Sequence, residues 1–186
     1  VACCDKEIRN LILNLGGKVE MTDPNLPSGT DRVFSAIKNY GNINDYDSII
    51  NLQGDMPLIN PNDITRVNFP LRQGFDIGTL ATNFTTEEEV QDENITKVHI
   101  QWIKNKIIGK AIDFHKDISL LKGDNHYHHV GIYSFHFETL KKFVSLPTSK
   151  NEEKLQLEQL RALDVNMTIG VGYVKDVPIG IDSKED

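Results

Sequence analysis

The stretch Ser48-Ile49-Ile50-Asn51-Leu52-Gln53-Gly54-Asp55-Met56-Pro57 decides the fold. Its short apolar run suits a strand buried on both faces, as in sheets covered by helices on either side. The run stops abruptly at Gln53-Gly54-Asp55. Asn60-Pro61 then reads as an N-cap with proline at the first helical position, opening a helix towards Leu71. In open α/β sheets, ligands bind at the carboxyl ends of strands, where loops offer polar groups from a rigid base. Gly54 permits close approach of backbone to ligand, and Asp55 projects a hard oxygen donor into the crevice. The competing reading is a plain strand-to-helix turn with a solvated Asp55.

Upstream, Ile8, Leu11, Ile12 and Leu15 recur at helical spacing, and Gly16-Gly17 ends that helix. A short strand over 18–21 leads into the stretch 22–30, where Pro24, Pro27 and Gly29 forbid regular structure. A second helix carries Val33, Ala36, Ile37 and Tyr40 on one face. Downstream, strands are expected over 77–83, 96–102, 107–114 and 127–135, with Asn105 in a hairpin between the second and third. Helices are expected over 138–144 and 152–164, and a last strand over 167–172. The alternation of helical and extended segments predicts one α/β layered domain.

Composition sets outer bounds. The 186 residues carry 20 basic against 27 acidic side chains, a net charge of -7, which argues against bulk nucleic acid as a partner. No apolar run approaches the roughly 18 residues needed to cross a bilayer, so membrane insertion is not expected and a cytoplasmic location is the default. Cys3 and Cys4 are adjacent and cannot bridge distant segments, which points to a reducing compartment. His126 and His128 share one strand face and His129 takes the other. No third ligand completes a zinc site there. Glu87-Glu88-Glu89 reads as a solvated helix face, and Glu158 and Arg161, three apart, as a pair on one helix. Gly180-Ile181-Asp182-Ser183 is a second acidic turn. Placed beside Asp55, Asp182 would complete the pair of carboxylates that suits Mg²⁺ on a nucleotide phosphate.

A series of blocks now occurs in order: Gly-Gly-Lys-Val-Glu-Met-Thr (16–22) with Ser-Gly-Thr-Asp-Arg (28–32), Asn-Leu-Gln-Gly-Asp-Met-Pro (51–57), His-Val-Gly-Ile-Tyr (129–133), Leu-Glu-Gln-Leu-Arg (157–161) and Gly-Ile-Asp-Ser (180–183). The series resembles the 3-deoxy-manno-octulosonate cytidylyltransferase (CMP-Kdo synthetase) family over nearly the whole chain. The resemblance implies a Rossmann-like nucleotide-diphospho-sugar transferase fold, with a mixed sheet and helices on both faces. It also implies a homodimer and Mg²⁺ as cofactor. The implied reaction couples CTP to the sugar acid Kdo, giving CMP-Kdo and pyrophosphate for lipopolysaccharide biosynthesis. Carried over residue by residue, Asp55 and Asp182 are the catalytic, metal-binding carboxylates. Ser28, Gly29 and Gln53 face the nucleotide, and His129, Tyr133, Glu158 and Gln159 line the sugar pocket.

The chain also departs from the family pattern. The family's N-terminal strand and basic, glycine-rich CTP loop have no counterpart before Val1, and its final helix has none after Asp186. Residues 1–186 are therefore expected to form a single incomplete domain, truncated at both ends. Residues 95–135 are expected to extend the sheet towards the sugar pocket and a dimer contact. Lys110 stands near the family's sugar-acid arginine and is a point charge instead of a bidentate fork. Three readings stay open: an authentic cytidylyltransferase, a catalytically inactive relic or interaction module of the same fold, and a related CMP-sugar synthetase.

Overall fold

The computed structural model describes residues 1–39, 43–104, 106–178 and 180–181; Tyr40, Asn105 and Asp182 lie outside the described residues. A short strand β1 (Ala2–Cys3) leads to helix α1 (Lys6–Asn14), and β1 pairs in parallel with β2 (Glu20–Met21). Asp5 caps α1 through hydrogen bonds from the Glu7 and Ile8 amides. At the other end Gly17 N donates to Ile12 O and Gly16 N to Leu13 O, with Gly16 at φ +77°, so the Gly-Gly pair closes the helix as a Schellman turn. The apolar face predicted for α1 exists, but it is not buried: Ile8, Leu11 and Leu15 are exposed.

Among the described residues the main sheet has six strands, in the order β3 (Ile49–Asn51), β7 (His126–Phe135), β4 (Ile77–Thr82), β8 (Ile169–Tyr173), β6 (Ile108–His115) and β5 (Lys97–Lys104). Strand β5 also pairs with β7, so β4, β8, β6, β5 and β7 form a closed circuit of ladders. Among the described residues only the β4–β8 pair is parallel within this sheet. Strand β4 is buried along its whole length, as a central strand must be.

Helices cover both faces. Helix α2 (Gly29–Ile37) packs on β3 and on α6 (Phe137–Ser145), and α8 (Leu160–Asp164) packs on β6. One apolar core, including Ile77, Phe114, Tyr133, Phe135, Phe143 and Leu160, lies beneath these elements. A second core, around Met56, Ile59, Val67, Leu80, Ile132 and Val174, is separate from it. Helix α4 (Phe69–Arg72) packs on β4 and β8, where a glycine leaves room: a Cβ at Gly170 would collide with Pro70 of α4 and with the Phe75 ring.

Two predicted helices are each divided. Asn60 caps α3 (Pro61–Arg66) as expected, but the helix stops there and α4 restarts with Pro70 in its first turn. Proline lacks the N–H that a continuous helix would use. The segment expected as one helix over 152–164 is α7 (Lys150–Leu155) followed by α8, and the break is Gln156 in the left-handed conformation at φ +55°. Ser149 and Glu152 form a reciprocal capping box at the start of α7. Helix α5 (Glu87–Gln91) carries the predicted acidic face, with Glu87 and Glu88 exposed.

Candidate active site

The site is built where β3 ends. Asn51, the last residue of β3, pairs with Tyr133 on β7, and its side chain is buried. Its Nδ2 donates to Thr30 Oγ1 at 3.0 Å, and Thr30 Oγ1 donates to Glu158 Oε1 at 2.5 Å. The Thr30 amide reaches Glu158 Oε2 at 3.3 Å. Residues from α2, β3 and the α7–α8 turn, up to 128 positions apart, thus meet in one line of polar contacts.

The Ser28–Asp31 turn forms one wall. Ser28 Oγ accepts from the Asp31 amide and donates to Asp31 Oδ2 at 2.7 Å, so this predicted nucleotide contact is also the cap of α2. Gly29 is exposed, and a Cβ there would come 3.6 Å from Asn51 Nδ2. Glycine therefore keeps the wall low above Asn51.

The opposite wall is β7. Two extra residues, Gly131 and Ile132, bulge out of the β4–β7 ladder between Thr79 and Leu80. Thr79 Oγ1 donates to the Ile132 carbonyl at 2.8 Å and lies 2.9 Å from His129 Nε2. The bulge sets the His129 ring 5.6 Å from that of Tyr133, on the same side as Phe114. Burial, and secondarily the charge of His128, pushes the His129 pKa down to about 3, so the imidazole is neutral. Burial together with the Glu158 charge holds the Tyr133 phenol well above its usual range, so it remains a hydrogen-bond donor at neutral pH. Gln159 is buried beside Glu158 at the head of α8.

Below the turn lies an ion triad. Arg161 is 1% exposed, and its Nε and Nη2 donate to the two Glu152 oxygens at 2.8 and 2.5 Å. Its Nη1 reaches Asp31 Oδ2 at 3.3 Å. Burial alone would lower the guanidinium pKa, but the Glu152 and Asp31 carboxylates outweigh it and raise it. The expected Glu158–Arg161 helical pair is therefore corrected. Glu158 precedes α8, its carboxylate goes to Thr30, and Arg161 pairs with Glu152 and Asp31 instead.

The remaining predicted residues are placed as follows. Gln53 and Asp55 are half-buried just beyond β3. Asp182 lies outside the described residues; the amide of its neighbour Ile181 donates to the Asp55 carbonyl at 2.8 Å. The two acidic turns are thus joined through the backbone. Among the described residues no three His, Cys, Asp or Glu side chains converge as a metal cluster. Lys110 is exposed on β6, paired in register with Gln101 on β5 and Gly170 on β8. A cleft of about 490 Å³ opens elsewhere, lined by Arg66, Phe69, Lys106 and Tyr173, and contains none of the predicted site residues.

Sequence reasoning did not assign roles to Asn51, Thr30, Asp31, Thr79 or Glu152. Thr30, Asp31 and Asn51 do lie inside the blocks quoted above. Glu152 carried its own signal in the Ser149-to-Glu152 capping-box spacing.

A family model described as Cytidylyltransferase matches residues 1–169. A 3-deoxy-manno-octulosonate cytidylyltransferase of Paramagnetospirillum magneticum is 38% identical over all of this chain and 76% of its own length. The chain belongs to the 3-deoxy-manno-octulosonate cytidylyltransferase family. A second member, from Rickettsia typhi, is 38% identical over all of this chain and 75% of its own length. The chain thus spans about three quarters of the length of these family members. A solved CMP:2-keto-3-deoxy-manno-octonic acid synthetase complexed with CTP superposes with a TM-score of 0.80 at 27% identity, covering 97% of this chain and 73% of that one. A UDP-glucose pyrophosphorylase complexed with UDP-glucose, 12% identical with a TM-score of 0.57 over 93% of this chain and 66% of its own, shares the fold alone. The nucleotidyltransferase architecture expected from the sequence is the one observed. Among the described residues no helix is long and apolar enough to cross a membrane.

Proposed function

We propose that this chain catalyses attack of the Kdo anomeric hydroxyl on the α-phosphorus of CTP, forming CMP-Kdo and releasing pyrophosphate, with the product destined for lipopolysaccharide. The observation that carries this reading is the match over the whole chain to relatives named for that activity. The geometry supports it. One rim of the crevice is the capped Ser28-Gly29 turn, suited to a nucleotide, and the other holds the polar groups a sugar acid needs. Tyr133, kept protonated, donates a hydrogen bond, while neutral His129 orients through Thr79. Gln159 and Glu158 supply further donors and acceptors.

Asp55 and Asp182 are the residues to hold Mg²⁺, and Gln53 lies beside the nucleotide. The donor chemistry fits: Mg²⁺ takes one or two carboxylates plus substrate phosphates, and the Ile181–Asp55 backbone bond brings the two acidic turns together. When bound, the cation would offset the negative charge that develops on the phosphoryl oxygens. The protein's own work is in-line positioning of two polyanions. No side chain is required as a covalent nucleophile. The same reading includes a homodimer, with the β5–β6 hairpin as its contact, where Ile103 and Ile107 are exposed.

The test is pyrophosphate release by the purified chain with CTP, Kdo and Mg²⁺, beside Asp55→Asn and Asp182→Asn variants. Release should require both substrates and drop by about 100-fold or more in each variant. A folded chain that releases no pyrophosphate refutes the reading.

A further inference from the structure

The two rims of the crevice are each fixed locally. Ser28 and Asp31 close the α2 turn on itself. The Glu158–Gln159 turn is held by its own backbone, with Arg161 N donating to Glu158 O and Ala162 N to Gln159 O. Between the rims, among the described residues, side-chain bonds run through two links: Thr30 to Glu158, and Arg161 to Asp31. Glu158 is itself a candidate substrate contact, and a carboxylate that turns to a sugar hydroxyl leaves Thr30. The Arg161 link does not depend on such a group. Its guanidinium is sealed from solvent, gripped bidentately by Glu152, and seated 4.7 Å from the centre of the Phe143 ring.

Stability alone does not account for such a triad. Desolvating three charges cancels most of their Coulomb attraction, and apolar replacements of similar volume are often as stable. What a planar fork adds is direction, because two parallel N–H bonds fix Arg161 on Glu152 and aim the third nitrogen at Asp31.

From this geometry we infer that Arg161 is a positioning residue: it sets the distance between the nucleotide-facing Ser28–Asp31 turn and the sugar-facing Glu158–Gln159 turn, and so the line of attack between two substrates it does not touch. The inference rests on the functional reading above and adds a role for a side chain that faces neither substrate. Because each rim is internally fixed, loosening the joint leaves each substrate its own contacts and disturbs only their mutual alignment. A displacement of about 1 Å at reacting atoms can cost on the order of 100-fold in rate.

Arg161→Lys keeps the charge and removes the fork; Glu152→Gln keeps the shape and removes one acceptor, and serves where the first variant fails to fold. Each is assayed by steady-state pyrophosphate release and by calorimetric titration with CTP. The expected result is a kcat lower by about 10- to 100-fold, with KM for both substrates within about threefold and CTP bound at the wild-type stoichiometry. A merely structural role lowers the binding stoichiometry in step with kcat, and that outcome overturns the inference. An unchanged kcat in both variants, or a rise in KM at constant kcat, overturns it as well. Absence of wild-type turnover refutes the parent reading and this inference with it, whereas a normal wild type with indifferent variants refutes the inference alone.

Discussion

Replacing Thr30 by valine conserves shape and deletes one hydroxyl at the centre of the site. Thr30 is fully buried, and its Oγ1 both accepts from Asn51 and donates to Glu158. Asn51 is 3% exposed, so its amide N–H has no water to turn to once the hydroxyl is gone. A buried donor left unpaired costs about 1–3 kcal/mol. Glu158 is half-buried and recruits solvent, so its loss adds less. The sum is about 2 kcal/mol. Thr30→Ser keeps the hydroxyl and loses one buried methyl group, worth about 1 kcal/mol. With a urea slope of about 2 kcal/mol/M, the valine variant should unfold about 1 M earlier than wild type and the serine variant about half as far. Adding Asn51→Leu to the valine variant removes the stranded donor and should recover part of the loss, a non-additivity that a double-mutant cycle reads directly. A valine variant as stable as the serine variant, or a strictly additive double variant, would refute the claim that the Asn51–Thr30 bond is closed to water.

His129 makes stability fall on the acid side. Its folded-state pKa of about 3 lies below the ordinary 6.5, so the unfolded chain takes up a proton that the folded chain refuses. The contribution is complete above pH 6.5 and erodes below it at about 1.4 kcal/mol per pH unit, down towards pH 3. His99 and His128 are also lowered by burial and act in the same sense. The check is the difference in slope of unfolding free energy between pH 7 and 5 for wild type and His129→Gln; equal slopes would contradict the assignment. In the sheet, Gly78→Ala should cost about 3 kcal/mol or more, because its Cβ meets backbone at Val67. Gly131→Ala, with nothing within 4 Å of the added carbon, should stay within about 1 kcal/mol when both are compared by thermal unfolding.

The sequence made the layer architecture legible because local signals and tertiary demands agreed there. The pair Ile49-Ile50 is apolar, short and soon followed by breakers, and it lies in a strand. Asn60-Pro61 opens a helix for the reason its residue types state. Where local pattern misled, a long-range contact outbid it. Glu158 and Arg161 have the spacing of a helical pair, yet Thr30, 128 residues away from Glu158, and Asp31, 130 away from Arg161, claim their side chains. Gln156 carries no residue-type signal for φ +55°, so nothing in its identity announced the break between α7 and α8. The site was readable as a set of blocks and not as a geometry. Asn51, Thr30 and Asp31 stood inside quoted motifs, but their hydrogen-bond partners lie on other elements, and spacing within a block cannot reveal them.

Strand β7 pairs with β3 and β4 at one end and with β4 and β5 at the other. A one-residue slip would break all three ladders together and turn every side chain to the wrong face. Extra length in the segment from His126 to Phe135 is confined to the Gly131–Ile132 bulge, and elsewhere along it the paired registers favour substitution over changes in length. Lengthening is tolerated beside it, in the turns around Gly123, where no ladder is at stake. The sheet acts as a ruler at this point: β4 pairs with both His129 and Tyr133 and β3 holds Tyr133 from its other side, so side chains here can be exchanged only on a fixed scale.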